Sequence, residues 1–305
     1  MKKRISAIAF ILVILFAAAG CAGQEDKGSS VNTGAEKEET EILGEENGTA
    51  DKKEEETEIQ VFIAASLNTV MTELASLYGE ENPDVKITYN ADSSGTLLTQ
   101  IVEDYECDIF FSAAQKQMDQ LEAEGFVVEG TRANVVNNQV VVVTRKDSGT
   151  KVKGLETLKD AESIALAGGS VPVGRYTRQA LVNLGILDEA EDVSSITTQE
   201  VSDVLEGVEI SEQDNVGKVL SAVVEGSCEV GTTYYSDTYG FENELNILET
   251  VDHGLTGNVI YPIARVKNTE ADEKQTEAAS DFLKFILSDQ AKTVFETYYF
   301  DTDVE

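Results

Sequence analysis

The chain has 305 residues, of which 57 are Asp or Glu and 23 are Lys or Arg, for a formal net charge of −34. That balance excludes nucleic acid as a partner, because a phosphate backbone is recognised by clustered bases. One His, three Cys and no Trp also exclude a structural zinc site built on histidines, a disulfide framework, and a sugar pocket that stacks pyranose rings on indoles.

At the N-terminus, Lys2, Lys3 and Arg4 precede an apolar run from Ile5 to Gly20, 16 residues and short for a membrane span. The run stops at Ala18-Ala19-Gly20-Cys21, small residues followed by a cysteine. This resembles the bacterial lipobox, although Ala18 stands where Leu is usual. Residues 1–20 are therefore expected to be a lipoprotein signal peptide, with Cys21 as the lipidated N-terminus anchored at a membrane surface. Residues 21–58 are expected to be a disordered acidic tether: Ala22–Glu58 holds 13 acidic and 4 basic residues and little that is apolar. Signal and tether carry +3 and −9, which leaves −28 on residues 59–305. Cys107 and Cys228 read as small core residues.

From Ile59 onward, strand-like and helical patterns alternate. Strands are expected at 59–64, 85–90, 108–112, 139–144, 163–167, 229–232, 246–249 and 258–264. The runs VVVV at Val140 and IALA at Ile164 lack in-out alternation, as parallel strands covered on both faces would. Leu67, Val70, Met71, Leu74, Leu77 and Tyr78 share one helical face, as do Val216, Val219, Leu220, Val223 and Val224. Helices at 281–287 and 290–298 close the chain. The pattern predicts an α/β protein of two lobes with mostly parallel sheets. Lobe 1 would be 59–138 plus 249–305 and lobe 2 would be 139–248, with crossings near Asn137–Gln139 and Leu248–Val251.

Two serines stand at strand-to-helix corners. Ser66 ends VFIAAS and Ser94 lies in DSSGTL, each where a helix N-cap should be, beside N–H groups with no partner inside the helix. Such corners bind anions without a cationic side chain. No nucleophile elbow, P-loop or HExxH motif is present, so the chain reads as a receptor and not an enzyme. His253 reads as a surface or hinge residue.

VFIAASLNTVM, DSSGTLLTQI, CDIFFSAAQKQMD, VPVGRYTRQAL, DNVGKVL and VGTTYYSD together resemble, in this order, segments of the bacterial molybdate-binding proteins of ABC importers, over about Glu58 to the C-terminus. The resemblance implies the periplasmic-binding-protein fold, with an anion cleft between two α/β lobes. It also implies a site: Ser66 and Ser94 through hydroxyl and backbone N–H, Val173 and Val216 through backbone N–H, and Tyr234 through its phenol. All five are oxyanion contacts, not direct ligands of the metal atom. Arg175 follows where a neutral residue is common, and would either add charge to the pocket or face solvent. No cofactor is implied beyond the bound molybdate or tungstate. The implied partners are an importer permease and, through the lipid, the membrane; a monomer is expected.

The chemistry agrees. Molybdate and tungstate are fully deprotonated near neutral pH and only accept hydrogen bonds, whereas hydrogen phosphate must also donate. Sulfate has the same charge but shorter bonds, so a pocket sized for the larger ion leaves it under-contacted. The competing reading is a ferric receptor of the same general fold, since adjacent Tyr234 and Tyr235 could serve as phenolate ligands. Another alternative is a receptor for sulfate or a similar oxyanion.

Overall fold

The structure, a computed structural model, describes residues 56–304. The expected signal peptide, Cys21 and the tether up to residue 55 lie outside the described residues. The tether was expected to reach Glu58, but Thr57 and Glu58 already belong to the first strand, paired with Val85 and Lys86. Glu58 is held there by Lys86 Nζ at 3.0 Å and by the Thr88 hydroxyl at 2.6 Å, both on the neighbouring strand. Its charge marked it as tether, and the cross-strand partners overrode that signal.

The chain order is β1 (Thr57–Ala64), α1 (Asn68–Glu81), β2 (Val85–Asp92), α2 (Ser94–Val102), β3 (Ile109–Phe111), α3 (Gln115–Ala123), β4 (Ala133–Asn138), β5 (Val140–Arg145), β6 (Ser163–Ala167), α4 (Pro172–Asn183), α5 (Thr198–Val204), β7 (Glu209–Gln213), α6 (Val216–Val224), β8 (Val230–Tyr234), β9 (Leu245–Thr250), α7 (His253–Thr256), β10 (Val259–Arg265), α8 (Glu273–Ile286) and α9 (Asp289–Thr297). Two five-stranded sheets result, ordered β2-β1-β3-β10-β4 and β7-β6-β8-β5-β9.

Each sheet is mixed. Four strands share a direction and one is reversed: β10 in the first sheet and β5 in the second. The reversed strand is in each case the first one entered on arrival from the other sheet. This corrects the expectation for the VVVV run, which is antiparallel to both neighbours. Val140 to Val143 are all fully buried, so the unbroken apolar run reported cover on both faces and not strand direction. The edge strands β4 and β7 were not expected from the sequence. Their segments ANVVNN and EISEQ carry too few apolar residues to read as strands.

Burial on two faces is visible in β1. Ile59, Val61 and Ile63 join Val70, Met71 and Leu74 of α1 in one cluster. Phe62, between them in sequence, joins Leu97, Ile101 and Met118 in another. Each such buried side chain contributes roughly 1.5–3 kcal/mol. At the C-terminus, α8 begins eight residues before the expected helix because Asp272 caps it, accepting from the Gln275 N–H at 2.8 Å.

The chain crosses between the sheets twice. Gln139 alone separates β4 from β5, and the return runs from β9 through α7, which begins at His253, to β10. Glu249 and Thr250, expected on the first lobe, pair with Val142 and Val141 in the second sheet. The two crossings lie side by side, tied by Gln139 Nε2 donating to Val251 O at 2.9 Å and Val251 N–H to Val140 O at 2.8 Å. Cys107 and Cys228 are buried free thiols.

Candidate functional site

Four element starts converge between the sheets. A single 3-10 turn, Ala65–Leu67, joins β1 to α1 and carries Ser66. Ser66 is not a helix cap, as the sequence suggested. Its buried hydroxyl lies 2.9 Å from the Tyr261 hydroxyl of β10, which also receives Asn138 Nδ2 at 3.2 Å. At the second corner the cap is Ser93, whose Oγ accepts from the Thr96 N–H at 3.2 Å. Ser94 is the first residue of α2, completely buried, and its Oγ accepts from the Ala113 N–H at 2.9 Å. Asp92, Ser93 and Ser94 are all capable caps; the fold uses the middle one, which turns Ser94 inward.

From the second sheet, α4 begins with Pro172 after an extended Val171. Proline has no N–H, so Val173 carries the first backbone donor of that helix, in the turn where intrahelical acceptors are lacking. At α6, Asn215 caps by accepting from the Lys218 N–H at 3.0 Å, and Val216 offers the next unpaired position. Tyr234 ends β8; it is 1% exposed, packs edge-on to Tyr261 at 5.8 Å, and among the described residues its hydroxyl has no partner in hydrogen-bond geometry.

Ser66, Ser94, Val173, Val216 and Tyr234 all line one small cavity, with Ala64, Ala65, Asp92, Ser93, Ala113, Val171 and Pro172. It is small, about 200 Å³ of space counting its open mouth. The five residues expected to act together are thus brought together. Among the described residues, no Lys, Arg or His lines the cavity. Burial pushes the Tyr234 and Tyr261 phenols well above their ordinary range, so both remain protonated, and Tyr234 keeps an O–H to donate.

Asp92 was not expected here. Its Oδ1 accepts from the Ser93 N–H at 2.7 Å and from Asn215 Nδ2 at 3.1 Å, across the cleft. Two further contacts close the same gap: Lys116 Nζ donates to Asp192 Oδ2 at 2.7 Å and to Ser194 Oγ at 3.0 Å. Arg175 does not line the cavity; its guanidinium sits 5.5 Å from the Tyr176 ring centroid. Tyr235 diverges from Tyr234, being 36% exposed and packed at 5.2 Å on Tyr299 with the rings tilted by 35°.

The molybdate-binding protein ModA of Escherichia coli (strain K12) is 28% identical over 81% of this chain and 90% of its own length. That of Haemophilus influenzae is 26% identical over 79% of this chain and 89% of its own. The structure of the Azotobacter vinelandii periplasmic molybdate-binding protein superposes with a TM-score of 0.63 at 20% identity, covering 79% of this chain and 98% of that one, a likeness of fold. Residues 59–301 match the model of the bacterial extracellular solute-binding protein family, and the chain is a member of that family.

Proposed function

We propose that this protein captures molybdate or tungstate outside the cytoplasm and delivers it to an ABC importer. The observation that carries the reading is the Tyr234 hydroxyl: buried, protonated, unpartnered, and turned into a cavity built from helix starts. A buried donor left unmet costs roughly 1–3 kcal/mol, and an acceptor-only anion recovers it. The relatives of E. coli and H. influenzae, which are molybdate-binding proteins by name, support the choice of ion. Five to seven hydrogen bonds to a charged group, at ~1.5–3 kcal/mol each, suffice for micromolar to nanomolar binding. Lipidation at Cys21 would keep the receptor near its permease; labelled fatty acid should enter the wild-type chain and not Cys21→Ala.

Titration calorimetry with molybdate, tungstate, sulfate and phosphate tests the reading. Molybdate and tungstate should bind with similar affinity and the other two far more weakly. Phosphate binding as tightly as molybdate would give Asp92 the role of acceptor for a protonated anion and overturn the assignment. The ferric alternative needs Tyr234 and Tyr235 as neighbouring phenolates, which their divergent positions and the raised Tyr234 pKa disfavour.

A further inference from the structure

Arg178 is the largest of the fully buried side chains among the described residues. Arginine stays protonated in proteins, and a buried charge is costly unless it is compensated. Its partners are nonetheless neutral: Nε donates to Ile196 O at 2.8 Å, Nη1 to Ala167 O at 2.8 Å and Gly174 O at 2.9 Å, and Nη2 to the Thr198 hydroxyl at 3.1 Å. The carboxylate tied to this group is the exposed Glu212, reached through that Thr198 hydroxyl.

One nitrogen, Nη1, thus holds both ends of a short corner, the last carbonyl of β6 and a carbonyl in the first turn of α4. The residues between them include Val171, Pro172 and Val173, which line the anion cavity. The corner is wound tightly: a Cβ on Gly174 would stand 2.2 Å from Gly168 O and 2.3 Å from Ala167 O. The guanidinium therefore sits about one helical turn behind the N–H groups of α4, outside a cavity that no cationic side chain lines among the described residues.

We propose that Arg178 is the positioning residue and the hidden counter-charge of the oxyanion site: it fixes the Ala167–Gly174 corner and biases the cavity toward tetrahedral dianions over monoanions. The proposal rests on the oxyanion reading above and deepens it. It also accounts for anion capture by a chain of net charge −34, since this cation is shielded from salt while the surface carboxylates are not. At an effective dielectric of ~20 and a separation on the order of 10 Å, one charge changes monoanion affinity roughly tenfold and dianion affinity roughly a hundredfold.

The test compares molybdate with perrhenate, a tetrahedral monoanion, by calorimetry and by competition on wild type, Arg178→Gln and Arg178→Lys. Gln should lose about ten times more affinity for molybdate than for perrhenate, and Lys should restore most of that difference. Equal losses for both ions would reduce Arg178 to a structural brace, and no loss would remove it from the site; either result overturns the proposal. Should the Gln variant not fold, Arg178→Lys decides: it keeps the buried charge and loses the planar fork, so affinity for both ions should fall while the molybdate-to-perrhenate ratio stays at the wild-type value, and a ratio that falls with them overturns the idea. Wild type that binds neither ion would instead refute the oxyanion reading itself.

Discussion

Tyr234, Ser94 and Ser66 line one cavity but stand in different debts to the fold. Among the described residues the Tyr234 hydroxyl has no partner in hydrogen-bond geometry, Tyr261 being its nearest polar neighbour, so Tyr234→Phe removes an unmet buried donor. Without anion, the variant should melt higher, by up to about 1–3 kcal/mol of stability, while molybdate affinity falls by a similar amount. A lower melting temperature for anion-free Tyr234→Phe would mean that the hydroxyl is already satisfied. Ser94 is the opposite case, because its Oγ is the acceptor for the buried Ala113 N–H. Ser94→Ala should cost about 1–3 kcal/mol of binding and also about 1–3 kcal/mol of stability. Ser66→Ala should lower binding alone, since Tyr261 keeps Asn138 as a partner. Equal stability losses in the two serine variants would contradict this division.

At the scale of elements, the site depends on where helices start, and on glycines that let corners close. Gly174→Ala puts a Cβ against two backbone carbonyls at 2.2 and 2.3 Å, so the backbone itself must shift. Despite the higher helix propensity of Ala, the variant should be less stable and should bind molybdate at least tenfold more weakly, read by melting and calorimetry. Wild-type affinity would mean the Val173 donor is not held by this corner. Much of this layer was legible in the sequence: the apolar runs gave the buried strands, and the motifs VFIAAS, DSSGTL, VPVGRY, DNVGKVL and TTYYSD marked the five positions that share the cavity. Other features were not. Three adjacent capping residues, Asp92, Ser93 and Ser94, are equivalent in a string, and only the packed corner selects Ser93. Edge strands β4 and β7 leave no apolar signature, because β4 buries two asparagines, Asn137 and Asn138, beside its valines and β7 is largely exposed. Asp92 and Arg178 were lost among 80 charged residues, where a charge reads as surface unless its burial is known. Strand direction was hidden because it follows from the two crossings, which are long-range events.

On the whole molecule, acidity acts in two windows. Burial pushes Asp237, which accepts from the Thr233 hydroxyl and the Tyr234 N–H, up to about 6. A carboxyl whose pKa is raised by folding binds its proton more tightly when folded. Its stabilising effect is complete below the unfolded value near 4 and is lost as pH rises through 6, by at most about 3 kcal/mol. Asp237→Asn should therefore flatten stability between pH 4 and 6 and raise the melting temperature at pH 8; an unchanged profile would show Asp237 to be ionised freely. Asp192 is the reverse, held down at about 2 chiefly by Lys116, so its support for the closed cleft is present above pH 4 and fails as pH falls toward 2. Closure itself has a steric test. Gly95, in the first turn of α2, faces Ser170 across the cleft, and a Cβ there would lie 2.9 Å from the Ser170 carbonyl. Within its own lobe Gly95→Ala favours the helix by up to about 1 kcal/mol, so the fold should not suffer. The closed state should, because the new methyl meets backbone and not a flexible side chain. A ligand that bridges the cleft stabilises closure only by its differential affinity for that state, and a smaller closed population raises the apparent Kd in proportion. Gly95→Ala should thus melt at or above the wild-type temperature, bind molybdate more weakly, and show a larger radius in small-angle scattering with saturating molybdate. Wild-type radius and affinity in this variant would mean that the two lobes do not need this approach to hold the ion.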